Sequence, residues 1–191
     1  SSAASDVYKR QLFILIVPNM VLCFTEPLPF MAKVANVLLP FGCYYLLMTL
    51  SRNCGKMLWI LFLFLFFGAF QIVLLYLFGQ SIIAVDMFLN LVTTNSSEAL
   101  ELLDNLTPAI IAVIILYVPA LILGMISIIR KRKLTVEFIR RERKRAFLVF
   151  GISLLSLVGA YVQDSGYELK SDLYPLNVCY NVGLALSLIH I

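Results

Sequence analysis

Charge is scarce in this chain. Of its 191 residues only 14% are Asp, Glu, Lys or Arg, while 61% are hydrophobic. Soluble domains are about a quarter charged and nearer half apolar, so a soluble fold would have to hide too much apolar surface. Histidine is scarcer still. The single one, His190, stands in the terminal "LSLIHI" and is assigned no role. Without it neither a Ser-His-Asp nor a Cys-His arrangement can be assembled, and no metal-ligand cluster is apparent. The four cysteines, Cys23, Cys43, Cys54 and Cys179, are scattered with no CxxC pair, so no ligand spacing supports a metal or disulfide role. Three of them lie in or beside apolar runs, where a free thiol behaves as a small hydrophobe.

Basic residues are absent from Gly79 to Thr107, a stretch that holds Asp86, Glu98, Glu101 and Asp104. They crowd elsewhere: nine of the 15 fall between Arg130 and Arg145, wedged between two apolar runs. That placement fits a loop facing anionic headgroups better than a nucleic-acid groove, so the net charge of +4 implies no nucleic-acid partner.

What the chain has in abundance is long apolar runs. A spanning helix needs roughly 20 mostly apolar residues, since the hydrocarbon layer is about 30 Å thick and a helix rises about 1.5 Å per residue. A run such as "MLWILFLFLFFGAF" does not alternate, which excludes a transmembrane β-strand. The reading is an all-α integral membrane domain over residues 12–162, with five spans at about 12–24, 32–50, 57–78, 108–129 and 146–162. The first run is short for a span, and no small-x-small site follows it to make it a signal peptide. The leading "SSAASDVYKRQ" and the closing "LSLIHI" resemble translated adapter sequence. Residues 1–11 and 187–191 are therefore set aside as expected non-native ends, with the first span truncated. Residues 163–186 read as the start of a linker.

Orientation follows from charge. With Arg52, Lys56 and the Arg130–Arg145 loop inside, the acidic 79–107 segment lies outside. The N-terminus is then cytoplasmic and the C-terminus extracytoplasmic. A loop as long as 79–107 usually carries function or structure of its own, and its half-apolar content predicts amphipathic helix at the membrane surface. Within it Asn90, Thr94 and Glu98 recur every fourth residue, one face of a helix. An amide, a hydroxyl and a carboxylate side by side suit a zwitterionic headgroup: the carboxylate pairs with an ammonium, while Asn and Thr bond phosphate or ester oxygens. Helix capping near Glu98 by Thr94, Asn95, Ser96 or Ser97 accounts for the same residues. Inside the spans, Asn36 and Gln71 are candidates for interhelical hydrogen bonds, and Lys33 is a charge near the outer end of its span.

Five spans followed by N-x3-T-x3-E within "TNSSEALELL" and its upstream residues, in a long outer loop after the third span, resemble the bacterial phosphoethanolamine transferases. The tail "SDLYPLNVCYN" is similar to the linker that leads into that family's catalytic domain. The resemblance covers roughly Leu12 to Leu184. It implies a five-helix anchor in the bacterial inner membrane, followed by a periplasmic, zinc-dependent catalytic domain of the alkaline phosphatase/sulfatase type. By motif position, Asn90, Thr94 and Glu98 would hold the headgroup. The implied reaction moves phosphoethanolamine from phosphatidylethanolamine to lipid A through a nucleophilic threonine near zinc. Neither that threonine nor the zinc ligands have counterparts in this sequence, so the fragment is expected to anchor and bind lipid but to be inactive alone. A glycerol-phosphate-type transferase is the nearest alternative. A transporter or membrane sensor is a more distant one, disfavoured because the runs carry few buried charges.

Overall fold

A computed structural model describes residues 2–78 and 95–189 of the chain. Every regular element among them is a helix: α1 (Ser2–Thr25), α2 (Phe30–Met48), α3 (Cys54–Ile60), α4 (Phe62–Phe78), α5 (Ser96–Ile129), α6 (Val136–Gln163), α7 (Leu169–Asp172) and α8 (Leu176–Ile189). The starts are locally encoded. Pro29 precedes α2 in an extended conformation, the Asn53 side chain accepts from the Lys56 amide at the head of α3, and Thr135 accepts from the Phe138 amide at the head of α6.

Among the described residues four helices are long and apolar enough to cross a membrane, or up to five if the bent pair α3–α4 counts as one span. Their outward faces carry Ile115, Leu155, Phe147 and other large apolar side chains well exposed on the protein surface. In water such a surface would be untenable; against lipid tails it is matched. The described residues form an all-α fold with the apolar helices of a multi-pass membrane protein.

Two expectations are corrected. The third apolar run is not one straight helix: it starts at Cys54 and bends by 63° at Leu61. No Gly or Pro stands at the bend. It falls where packing partners change, because α3 lies against α5 through a close Gly55–Gly124 approach, whereas α4 lies against both α1 and α5. Second, Ser96 to Thr107 does not form a separate surface helix. It is continuous with the next apolar run in one 34-residue helix, and Pro108 lies inside that helix, not in its first turn. A proline inside a membrane helix is tolerated when neighbouring groups take up the freed carbonyl.

The densest packing joins α2 to α6. It uses small side chains: Ala32, Ala35 and Ala160 are wholly buried, and a Cβ on Gly42 would meet the Phe150 backbone at 3.1 Å. Close backbone approach of this kind is how helices gain contact where lipid removes the hydrophobic drive. The ends of the chain also take part. Tyr8 and Gln11, in the segment set aside as a non-native end, are buried, and Tyr8 packs edge-on against Phe138. Beyond α6, Tyr167, Leu173, Tyr174 and Val178 are buried, the last two in a cluster with Leu22, Leu74 and Leu75. The stretch read as a linker is thus folded back onto the helices.

Candidate functional site

Polar side chains gather at both ends of the helix bundle. At the basic end, Glu142 is almost fully buried. Its carboxylate accepts from the Tyr45 hydroxyl at 2.5 Å, from Arg145 at 2.9 Å and from Arg141 at 3.2 Å. Burial by itself pushes this carboxyl up, but the Tyr45 hydrogen bond and the two guanidiniums outweigh it and hold Glu142 below the usual carboxylate range. Arg143 donates to the Thr49 carbonyl, and Arg52 and Leu134 exchange two hydrogen bonds through Arg52 Nε to Leu134 O and Leu134 N to Arg52 O. The two basic loops are therefore tied to each other. These groups are spoken for, so this end reads as structural.

The opposite end holds an amide lattice. Asn19, on α1, donates through Nδ2 to the Asn36 carbonyl at 2.9 Å and to the Tyr174 carbonyl at 2.7 Å. Asn36, on α2, donates through its own Nδ2 to the Asp172 carbonyl at 2.6 Å and accepts from the Tyr167 hydroxyl through Oδ1. Burial, with Asp172 and Tyr161 adding to it, pushes the Tyr167 phenol up, so it stays a proton donor toward Asn36. Asp172 also accepts from the Glu168 amide at 2.7 Å, closing the turn that presents the carbonyls. Beside the lattice lies a narrow cleft with room for about one water-sized group, with Glu26, Lys33 and Asp172 on its walls.

Of the residues the sequence singled out, Asn90 and Thr94 lie outside the described residues. Glu98 is the third residue of α5, and Asn95 immediately precedes that helix. Asn36 is a hydrogen-bonding residue as expected, but its side chain reaches Asp172 and Tyr167 of the C-terminal segment, not another long helix. Gln71 is buried. Asn19, Tyr167 and Tyr174 were not anticipated. A lone amide within the apolar run Leu12 to Phe24 was the available signal for Asn19; two tyrosines in a polar tail gave none.

Among the described residues no group of three or more His, Cys, Asp or Glu side chains is placed to hold a metal ion. What the arrangement offers is binding and positioning. No family model, curated protein or solved structure matches the chain.

Proposed function

We propose that the chain is the membrane domain of a bacterial phosphoethanolamine transferase, crossing the inner membrane five times with its N-terminus cytoplasmic and residues after Gln163 periplasmic. The observation that carries the reading is N-x3-T-x3-E at Asn90, Thr94 and Glu98, in an acidic loop free of basic residues and flanked by apolar runs. Phosphatidylethanolamine is the donor, lipid A the acceptor, and the reaction belongs to a zinc-dependent domain of the full-length parent. Two features of the fold support this. The bent pair α3–α4 begins at Asn53, hydrogen-bonded to Ser127 at the basic end, and reaches Leu74 and Leu75 beside Leu22 at the other, which favours counting it as one crossing. The segment after α6 is seated on that second end, where a catalytic domain would join.

Capping competes for one of the three residues. Asn95 ahead of α5 and Glu98 at its third position have the spacing of a capping box. The two roles separate in the full-length parent. Headgroup binding predicts that Asn90→Ala and Glu98→Ala both lower lipid A modification at matched expression, Glu98→Ala more than Thr94→Ala, because a charge-assisted bond is about twice as strong as a neutral one. Wild-type modification in both Asn90→Ala and Glu98→Ala leaves capping alone. Sequencing the source DNA past Leu186 tests the assignment itself: a reading frame without a sulfatase-like domain overturns it.

A further inference from the structure

Where α2 ends against α6, the chain leaves an apolar groove of about 190 Å³ between Leu46, Leu47 and Leu50 on one side and Phe147 on the other. Thr49 lines it too, but its hydroxyl donates back to the Leu46 carbonyl at 2.7 Å, so the walls offer carbon. Leu50 and Phe147 are 67% and 61% exposed, at the level where the cationic start of α6 gives way to its apolar run at Ala146. Arg143 stands at the mouth. Its Nη2 donates to the Thr49 carbonyl at 2.7 Å, which positions the guanidinium and uses only part of its set of five donors. Arg140 and Lys144 flank it, and the spacing of Arg140, Arg143, Lys144 and Phe147 puts all four on one face of the helix. Arg140 and Lys144 are exposed, and neither has an ion pair among the described residues. Glu142 is turned away, onto Tyr45, Arg141 and Arg145. Glu137, the acid of α6 on the cationic face, is six residues or about 9 Å along the axis from Arg143.

We propose that this groove holds one anionic phospholipid from the leaflet on the basic side, its phosphate at Arg140, Arg143 and Lys144 and the start of an acyl chain between Phe147 and Leu50. Charge selects the lipid. Three cations facing one distant carboxylate attract a net negative headgroup, whereas a zwitterionic one would bring its own cation into the cluster. Depth selects a lipid over a soluble anion. Phe147 lies four residues, or about 6 Å along the axis, beyond Arg143, so an anchored phosphate hands its chain directly into the groove. A free anion would use the cations and leave the apolar walls uncovered. Membrane sidedness accounts for how many cations stand at this end, but not for three of them standing over a groove. The site lies at the opposite end of the bundle from the amide lattice and does not depend on the transferase reading.

Native mass spectrometry of the full chain in detergent, with phosphatidic acid or phosphatidylcholine of identical acyl chains added, reads the preference directly. Phosphatidic acid carries the phosphate without a further headgroup and should be retained about 10-fold better, the equivalent of about 1.4 kcal/mol. Phosphatidylethanolamine should behave like phosphatidylcholine, which separates this site from the lipid of the transferase reading. Arg140→Gln and Lys144→Gln should each lower retention of phosphatidic acid about 5-fold, and Lys144→Arg should keep it. A control that removes two charges elsewhere in the loop, Arg130→Gln with Lys133→Gln, should leave it at the wild-type level. Leu50→Trp fills the groove from its exposed rim and should lower retention about 5-fold with every cation in place. Equal retention of phosphatidic acid and phosphatidylcholine overturns the proposal. So does an equal loss in the control, which would assign binding to diffuse charge, and so does wild-type retention by Leu50→Trp, which would leave the groove without a role. A stable dimer that takes up no lipid overturns it as well, giving this face to a second copy of the chain.

Discussion

At the scale of single residues, burial decides what each polar group is worth. Asn36 satisfies two partners at once, the Asp172 carbonyl and the Tyr167 hydroxyl. Asn36→Leu strands both, and the expected loss is about 1–3 kcal/mol, read as a lower unfolding midpoint in detergent. In an Asn36→Leu background, Tyr167→Phe should then cost little, because the hydroxyl it removes has already lost its acceptor; additive losses would show that the two side chains are not coupled. Glu142 makes a different prediction. Its carboxyl is held below the ordinary range, so it binds its proton less readily folded than unfolded. The stability it contributes is complete above the unfolded value of about 4.3 and drains away as pH falls through the lower folded value. Thermal stability in detergent should therefore be level near neutrality and drop in the acid range, and Glu142→Gln should flatten that drop. Which amides would be engaged was only half visible in the sequence. Asn36 is conspicuous inside an apolar run, but its partners come from residues 131 and 136 positions away, a distance that no local pattern encodes.

At the scale of elements, hydropathy located the apolar runs because lipid imposes one constraint on all of them: length and apolar composition. It did not disclose the bend at Leu61, since the residues there are as apolar and helix-compatible as their neighbours. Nor did it disclose that Ser96–Thr107 extends α5, because acidic residues ended the run before the helix ended. The signal closest to the bend is Gly55. A Cβ at that position would lie 2.1 Å from the Gly124 carbonyl oxygen, so α3 and α5 cannot keep their contact with any larger residue. Gly55→Ala should cost about 1–3 kcal/mol or more by forcing the helices apart. Gly124→Ala meets chiefly the tip of Leu58 at 3.3 Å, which a side-chain adjustment relieves. Comparing the two melting curves checks the asymmetry; equal losses would place the tight contact elsewhere.

At the scale of the whole molecule, the sidedness of the basic loops is the expectation that organises the rest. Reporter fusions after Lys56 and within 131–133 should share one compartment, and fusions near Asn95 and Ser171 the other. A fusion near Asn95 that reports with the basic loops would overturn the crossing pattern. The end opposite those loops is tied together by bonds between the first and last parts of the chain, Asn19 to Tyr174 being 155 residues apart. That span has a consequence in time. A chain is made from its N-terminus, so α1 and α2 enter lipid while Tyr174 is still unmade. During that interval Asn19 lacks one of its two acceptors and Asn36 lacks both of its side-chain partners. Each unmet amide in hydrocarbon costs about 1 kcal/mol, so the α1–α2 pair gains its full stability only when synthesis reaches the C-terminal segment. The lattice is then the last thing to form, and a chain cut short before Leu173 has Asn19 and Asn36 without their C-terminal partners.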